Sequence, residues 1–351
     1  MRLGDNCNIQ MCKRIMAAQT NTEGGVPFYK IGTIGGKADA YISKDLFDEY
    51  KMKYSFPHKG EVMITCAGTV GKCIIYNGED SYYQDSNIVW IDNPNEIISN
   101  DFLYHLLSKI NWSHLNSTAI VRIYNDDLRN LKLYYPHHDE QKKITHLFQL
   151  INERIATQNK IIEDLKKLKS AISHILFSSK GAIHLSEIAN VVMGQSPSSN
   201  AYNDQGLGMP LVQGNLDISN GKTTPRLYTA EFNQTTEKGN IILTVRAPVG
   251  EVAKATQKVC LGRGVCAIIP HEENMSDFIY QYLTFYKFMW RRYEQGSTFT
   301  SINGSDVRNI FCPKVRNVSI LTLLDIKINI EERVVKQYQS QKQYMLYQMF
   351  I

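Results

Sequence analysis

Two glycine-rich segments come closest to a catalytic motif, the phosphate-binding loop G-x-x-x-x-G-K-[ST]. The segment GTIGGKA (32–38) has the wrong spacing and carries Ala38 where a hydroxyl is needed, and GTVGKC (68–73) fails in the same way. Glycines next to small or polar residues are typical of tight turns. We therefore interpret both segments as turns that bind no nucleotide.

Acid–base and metal-binding candidates are equally incomplete. His137 and His138 adjoin Asp139 and Glu140, but adjacent side chains diverge, so helix capping explains them better than a metal site. The NPN at 93–95 differs from the Asn-Pro-Pro-aromatic motif of adenine methyltransferases, and the sequence contains neither H-E-x-x-H nor G-x-S-x-G. This pattern favours a binding protein over an enzyme, with no catalytic residue and no metal ligand to name.

Length and composition set broad limits. The 351 residues are 43% hydrophobic, which suffices for two ordinary domains, and the net charge of +5 is compatible with nucleic-acid binding without requiring it. Residues 1–10 lack the apolar core of a signal peptide, and no window approaches the roughly 18 apolar residues of a membrane span. The seven cysteines form no C-x-x-C pair, which argues against a disulfide framework or zinc ribbon. We expect a cytoplasmic protein.

The most informative feature is an internal repeat. KGEVMITCAGTVG (59–71) is similar to KGNIILTVRAPVG (238–250) at an offset of 179 residues, and matches at this offset recur between 123–130 and 302–309. A period near 180 residues is far too long for a solenoid. We therefore predict that residues 1–177 and 183–350 share one fold and are related by an approximate twofold axis.

Each copy predicts a globular part of mixed secondary structure. The segments 62–65, 72–76 and 86–91 are short apolar runs rich in β-branched residues and bounded by turn residues, which indicates strands. Residues 101–110 and 277–288 both have helical spacing of apolar residues. Each copy is therefore expected to contain α-helices, β-strands and many loops.

Each copy also ends in a long helical pattern, which stops at Phe177 and at Phe350. Over 139–177 such a helix is about 58 Å long, too long for the interior of a domain this size, so we expect the two helices to pair as a coiled coil. The seam residues predicted to lie between the helices are Ile151, Ile155, Gln158, Ile162, Leu165, Ile172, Leu324, Ile328, Val335, Tyr338 and Met345.

The predicted seam contains polar positions. Gln158 interrupts the apolar pattern of the first helix, and Glu331 occupies the matching position of the second. A polar residue within an apolar seam fixes helix register at some cost in stability. Alternatively, Gln158 points outward from a wide apolar face, and the sequence leaves both interpretations open.

The first helix resembles the central conserved region of the specificity subunits of type I restriction–modification enzymes. The shared pattern runs from P-x-x-x-E-Q-x-x-I through L-x-x-L-K to L-F, here Pro136, Glu140, Gln141, Ile144, Leu165, Leu168, Lys169, Leu176 and Phe177. The globular parts are similar to that family's target-recognition domains at 12–15, 26–35, 68–71, 84–91, 194–198, 238–243, 247–250 and 262–268. The resemblance covers essentially the whole chain, and the order of these loose motifs over two repeats is specific.

Two departures from the pattern matter. Cys12-Lys13-Arg14 stands where the second copy has 194–196, and the second helix lacks the Glu-Gln pair, so its starting residue stays open. Recognition domains of this family differ greatly between members, and the resemblance therefore does not give the target sequence.

The resemblance implies the fold class α+β: two tandem mixed α/β target-recognition domains separated by two long antiparallel helices that form a coiled coil, with internal pseudo-twofold symmetry. The implied boundaries are 1–138 and 181–316 for the domains and 139–180 and 317–351 for the helices. Each domain would read one half of a split site in double-stranded DNA, while the helices set the spacer and dock two methyltransferase subunits. Restriction motor–nuclease subunits would join for cleavage, and S-adenosylmethionine, ATP and Mg²⁺ would belong to the partner subunits.

The implied function selects candidate DNA-binding residues. Base reading needs forked polar side chains on loops, and phosphate contacts need positive charge or backbone N–H groups. The candidates are Lys13, Arg14, Lys30, Gln84 and Arg122 in the first domain and Gln195, Ser198, Arg246, Arg263 and Ser301 in the second. Arg246 replaces Ala67 of the first copy, as expected if the copies read different half-sites. Each candidate has the alternative of being a solvated or salt-bridged surface residue.

Two other classes of function compete with DNA recognition. One is a DNA methyltransferase or nuclease whose active site has no recognised motif, which a labelled-methyl assay on the purified chain would reveal. The other is a coiled-coil adaptor without affinity for nucleic acid. The tandem loop-rich domains argue against an adaptor, which needs only the helices.

Overall fold

The computed structural model describes residues 1–112, 122–178, 182–292, 301–315 and 317–350. The chain divides into two compact units, Met1–Thr157 with Val335–Ile351 and Gln158–Val334. The division falls inside both long helices, so each unit contains part of each helix.

The first unit is built from two β-sheets flanked by helices. In chain order its described elements are Asn8–Met11 (β1), Val26–Tyr29 (β2), Tyr41–Ile42 (β3), Lys44–Lys53 (α1), Val62–Thr65 (β4), Cys73–Ile75 (β5), Tyr82–Tyr83 (β6), Ile88–Asp92 (β7), Asn100–Lys109 (α2) and Asn125–Arg129 (α3), followed by the long helix His138–Phe177 (α4). The larger sheet is antiparallel with the order β1-β7-β4-β5, and the smaller has the order β3-β2-β6 with β2 and β6 parallel.

The larger sheet of the first unit is buried on both faces. Along β4, Val62 and Ile64 pack into a core with α2, whereas Met63 packs into a second core with α1 and the smaller sheet. Side chains alternate between the two faces of a strand, and here both faces meet apolar neighbours. This explains why the strand segments read as continuous apolar runs rather than as alternating patterns.

The second unit repeats this plan with additional short strands. Its described elements are Ala182–His184 (β8), Leu185–Ile188 (α5), Ala189–Met193 (β9), Tyr202–Asn203 (β10), Met209–Val212 (β11), Ile218–Ser219 (β12), Lys222–Thr223 (β13), Leu227–Thr229 (β14), Thr235–Thr236 (β15), Ile241–Thr244 (β16), Val252–Lys254 (β17), Val259–Leu261 (β18), Val265–Pro270 (β19), Ser276–Tyr286 (α6), Gly304–Arg308 (α7) and Phe311–Pro313 (β20), followed by the long helix Ser319–Met349 (α8). Its sheets have the orders β12-β13-β17-β16-β19-β9, β10-β14-β11-β18-β15 and β20-β8.

Strand order confirms that the two units share one fold. The series β1-β7-β4-β5 corresponds to β9-β19-β16-β17, and β3-β2-β6 corresponds to β14-β11-β18, including the parallel pair. The turn after the central strand is also the same in both units. Thr65 and Thr244 each donate a hydroxyl hydrogen bond to the carbonyl four residues later, and each accepts one from the backbone N–H seven residues later.

Hydrogen bonds between side chains and the backbone mark the first residues of both long helices. The α4 helix begins at His138, one residue before the sequence prediction, and the buried Gln141 in its first turn accepts a hydrogen bond from Ser99 N at 2.8 Å. Its amide also donates to the carbonyls of Ile97 and Pro136. The α8 helix begins at Ser319, whose N–H donates to the Asn317 side chain at 3.1 Å. This places the start that the sequence left open.

The helices run antiparallel within each unit. In the first, Arg154 Nε donates to the Tyr338 hydroxyl at 3.2 Å, and the ring of Phe148, earlier in α4, lies 5.9 Å from that of Phe350, directly after α8. In the second, Lys166 forms an ion pair with Glu332 at 2.7 Å and Lys169 with Asp325 at 2.5 Å. The later residue of α4 therefore pairs with the earlier residue of α8.

A buried histidine predicts acid sensitivity of the first unit. His105 is 6% exposed beside the rings of Phe148 and Phe350, and burial, together with the charge of Lys342, lowers its pKa from 6.5 to about 4. A neutral native state contributes its full stability above the unfolded pKa and loses it as pH falls from about 6.5 toward 4. We expect up to about 3 kcal/mol of the unfolding free energy to be lost in this window.

Urea unfolding of the protein and of His105→Phe between pH 4 and 7.5 checks this expectation. The variant keeps an aromatic ring and cannot ionise, so its unfolding free energy should fall less steeply below pH 6.5. Identical slopes for both proteins would contradict the assignment.

Candidate nucleic-acid interface

Four loops converge at one end of the large sheet in the second unit. Strand β9 ends at Met193 and β16 ends at Thr244, and both ends pair with the beginning of β19, at Cys266 and Val265. The loop after β11 joins them because the N–H of Gly262 donates to the carbonyl of Val212 at 2.8 Å. The topology therefore brings together loops that are far apart in sequence.

A polar groove of about 560 Å³ lies between these loops. Arg246 and Arg263 both line it, and both are exposed. The full lining is Ser196, Pro197, Ser199, Tyr202, Gln213, Gly214, Asn215, Arg246, Ala247, Arg263 and Gly264. Two guanidinium groups and several amides and hydroxyls at one groove are the groups that bind phosphates and base edges.

The remaining predicted residues of this unit lie around the same groove. Ser301 pairs with Arg246 through the main chain as an antiparallel bridge. Gln195 and Ser198 are exposed in the loop that contributes lining residues to the groove, where the hydroxyl of Ser196 accepts a hydrogen bond from Arg263 N at 3.1 Å. The structure thus collects all five predicted residues of the second unit.

The corresponding end of the first unit carries a groove of about 400 Å³. Lys13 and Arg14 line it, together with Asp85 and Ser86 of the turn before β7. Arg14 Nε lies 3.4 Å from Asp85 Oδ2, with the arginine side chain 75% exposed, and Lys13 Nζ lies 5.3 Å from the centre of the Tyr54 ring. Both cations therefore remain accessible.

The other predicted residues of the first unit are more constrained. Arg122 Nη2 donates to Ser86 Oγ at 3.4 Å, which connects it to the groove. Lys30 Nζ lies 3.0 Å from Asp39 Oδ1, and the half-buried Gln84 accepts a hydrogen bond from Ile31 N at 3.4 Å. The side chains of Lys30 and Gln84 thus stabilise their own loops in this structure.

Strand registers align loop positions of the two units that carry different side chains, and at two of them, Arg14 with Ser196 and Ser86 with Arg263, both residues line the groove of their unit. The pairs of corresponding residues are Lys13 and Gln195, Arg14 and Ser196, Lys30 and Gln213, Ala67 and Arg246, Ser86 and Arg263, and Arg122 and Ser301. Arginines occur in both grooves, but on different loops. One backbone framework therefore presents two different patterns of charge and hydrogen-bonding groups.

Sequence reasoning missed Gln213, Asn215 and Tyr202 as groove residues. The available indication was the polar pair Gln213 and Asn215 directly after the apolar strand β11, at the position that Lys30 occupies after β2.

The predicted seam residues all lie buried or half-buried along the helix pair of their own unit. Gln158 is 9% exposed, and its amide donates to the carboxylate of Glu331, which also forms an ion pair with Lys327. Gln158 therefore faces the opposing helix rather than solvent.

Some apolar residues of the helix pair face outward instead. In the second unit Ile161, Leu168 and Ile175 follow one another at seven-residue spacing on α4, with the last 76% exposed. Leu323 and Ile330 form a similar stripe on α8.

Among the described helices, none is long and apolar enough to cross a membrane.

Comparison with known families identifies the class of protein that this fold and interface define. The family model described as the type I restriction modification DNA specificity domain matches residues 1–167 and again residues 181–337. The two matches coincide with the two copies of the fold and cover most of the sequence. The chain therefore belongs to the family of type I restriction–modification DNA specificity subunits.

Individual relatives agree with this membership. The chain is 29% identical over 336 residues to the MjaX specificity subunit of Methanocaldococcus jannaschii, covering 85% of this chain and 79% of that protein. It is 49% identical over 144 residues to a type I restriction enzyme specificity subunit of Haemophilus influenzae, covering 41% of this chain and only 37% of that protein.

Solved structures show the same fold. A chain from a study of complex assembly and conformational transition of the type I restriction–modification system matches with a TM-score of 0.65 at 20% identity, covering 100% of this chain and 96% of that one. The type I S subunit of M. genitalium matches with a TM-score of 0.64 at 17% identity, covering 100% and 95%.

Proposed function

We propose that each unit of this chain reads one half of a bipartite site in double-stranded DNA and thereby directs adenine methylation by partner subunits. The observation that carries this proposal is the pair of grooves at the same end of the same fold. Both are lined by the loop after the first strand of the large sheet and by the turn before β7 or β19, and the side chains at these matching positions differ, as expected of two readers of different half-sites. The bases themselves would be read by the forked side chains and the phosphates by the exposed cations.

Partner docking is supported by the helix pair. The outward stripes of Ile161, Leu168 and Ile175 and of Leu323 and Ile330 are apolar and exposed, and such surfaces mark interaction sites. Two methyltransferase subunits are the proposed occupants, and motor–nuclease subunits join them in the restriction complex.

The chemistry belongs to those partners. S-adenosylmethionine, ATP and Mg²⁺ are held by the methyltransferase and motor–nuclease subunits, and this chain supplies recognition alone. Its seven cysteines are all free thiols, which fits a reducing compartment, and we place the assembly in the cytoplasm.

Methylation mapping tests the proposal. The chain is co-expressed with its methyltransferase in a host lacking other adenine methylation, and methylated sites are sequenced. A bipartite consensus that depends on this chain supports the proposal, and methylation without any consensus contradicts it.

Arg246→Ala sharpens this test. The variant should relax the half-site read by the second unit and leave the other half-site unchanged, weakening binding by about 1–3 kcal/mol if Arg246 reads a base. Arg308→Ala is the matched control, since Arg308 is exposed in the same unit but does not line the groove. Equal weakening on all DNA sequences would reassign Arg246 to the phosphate backbone.

A further inference from the structure

Gln213 lines the groove of the second unit with a side chain that bonds to no other described residue. It follows strand β11 directly and lines the groove together with Arg246 and Arg263. Among the described residues, its carboxamide has no hydrogen-bond partner, although its backbone is firmly bonded. A half-buried carboxamide with this lining position is available to a ligand in the groove that it shares with two arginines.

Close backbone contact holds Gln213 beside Arg263. Gly264 packs directly on Gln213, and a Cβ at this glycine would overlap the Gln213 carbonyl oxygen. On the other side of Arg263, the Gly262 N–H is bonded to the carbonyl of Val212, the residue before Gln213. Arg263 is therefore anchored through both neighbours to the segment that carries Gln213.

The buried carboxylate of Asp217 holds the same segment in place through hydrogen bonds. Asp217 is 3% exposed and accepts hydrogen bonds from Gln213 N at 2.8 Å and from Arg226 Nε at 3.1 Å. A carboxylate with two such donors is firmly held, because an unpaired buried charge is costly. Asp217 thus sets the main-chain position from which the Gln213 side chain projects.

These observations assign a chemical preference to the groove. A glutamine carboxamide matches adenine in the major groove, since its NH₂ donates to N7 and its oxygen accepts from the N6 amino group, whereas arginine matches guanine. We propose that Gln213 is a specificity-determining residue that reads an adenine in the half-site of the second unit, with Asp217 as its positioning residue. This inference rests on the proposed function of the chain.

The first unit has no glutamine at the position that corresponds to Gln213. Lys30 occupies the corresponding position, and its ammonium group is paired with Asp39. The two half-sites should therefore differ at the base pair that this position faces.

Methylation mapping with three variants of the full complex tests the proposal. Gln213→Ala should lose the preference for an A·T pair at one position of one half-site, lowering discrimination at that position about ten- to one-hundredfold. Gln213→Glu keeps the shape but replaces the donor, so preference should move from adenine to cytosine, whose N4 amino group a carboxylate accepts. Gln257→Ala is the matched control, because Gln257 is exposed in the same unit outside the groove.

The outcomes separate this inference from the proposed function. If Arg246→Ala relaxes the half-site while both Gln213 variants leave every position unchanged, the Gln213 assignment is wrong and the function stands. If the wild-type complex yields no consensus dependent on this chain, the proposed function itself fails. Asp217→Asn should weaken the same position as Gln213→Ala with little change in Tm, whereas a lower Tm with an intact consensus would show a merely structural role.

Discussion

A variant with seven residues inserted in each long helix, after Thr157 and after Val334, is expected to methylate the same two half-sites across a gap about two to three base pairs longer. Seven residues preserve the apolar seam because the seam repeats every 3.5 residues. They add about 10 Å of helix, and base pairs rise about 3.4 Å. The two insertion points lie at one level of the antiparallel pair, between the Arg154–Tyr338 and Gln158–Glu331 contacts.

Methylation mapping of the double-insertion variant gives the gap directly. Two controls are needed: insertion into one helix alone leaves the seams unmatched, and two residues in both helices rotate each apolar face by about 200°, away from the opposing helix. Both controls should lose methylation. An unchanged gap in the double variant, with methylation intact, would show that the helices do not set the spacing.

Gly194→Ala should destabilise the second unit by about 3 kcal/mol or more, because the new Cβ would overlap the Gly262 carbonyl oxygen and lie 2.7 Å from that of Val265. Both obstacles are backbone atoms, at Gly262 directly after β18 and at Val265 at the start of β19, so neither can rotate away. For a domain of this size the melting temperature should fall by roughly 6–12 °C.

Calorimetry of the two proteins measures this loss. Gly214→Ala is the matched control in the same unit, since a Cβ there meets no atom within 4 Å and the residue is in extended backbone with φ 179°. Equal melting temperatures for Gly194→Ala and the unchanged protein would refute the predicted clash.

Much of the fold was predictable because the chain carries its pattern twice. The repeat of 59–71 in 238–250 predicted two copies of one fold, and the strand orders confirm it. The strands at 62–65 and 88–92 and the helix ending at Phe177 follow from apolar spacing alone. These features are local, and local spacing is what a sequence displays directly.

The groove was less predictable because it depends on distant contacts. Gln213 and Arg263 are fifty residues apart, and only the parallel pairing of β11 with β18 brings them together. The partners of Gln84 and Lys30 could not be foreseen for the same reason, since Gln84 meets Ile31 and Lys30 meets Asp39 through loop geometry. Register between strands that are distant in sequence decides which polar residues share a surface.

The turns closed by Thr65 and Thr244 have a consequence for the evolution of the chain. Their hydrogen bonds use the threonine hydroxyl and the main chain, so Ala67 in one copy and Arg246 in the other occupy the same position without contributing to turn closure. Under the proposed function, a point mutation at such a position would alter what is recognised at little cost to folding. New recognition patterns would then arise through single substitutions, without any change to the backbone of the turn.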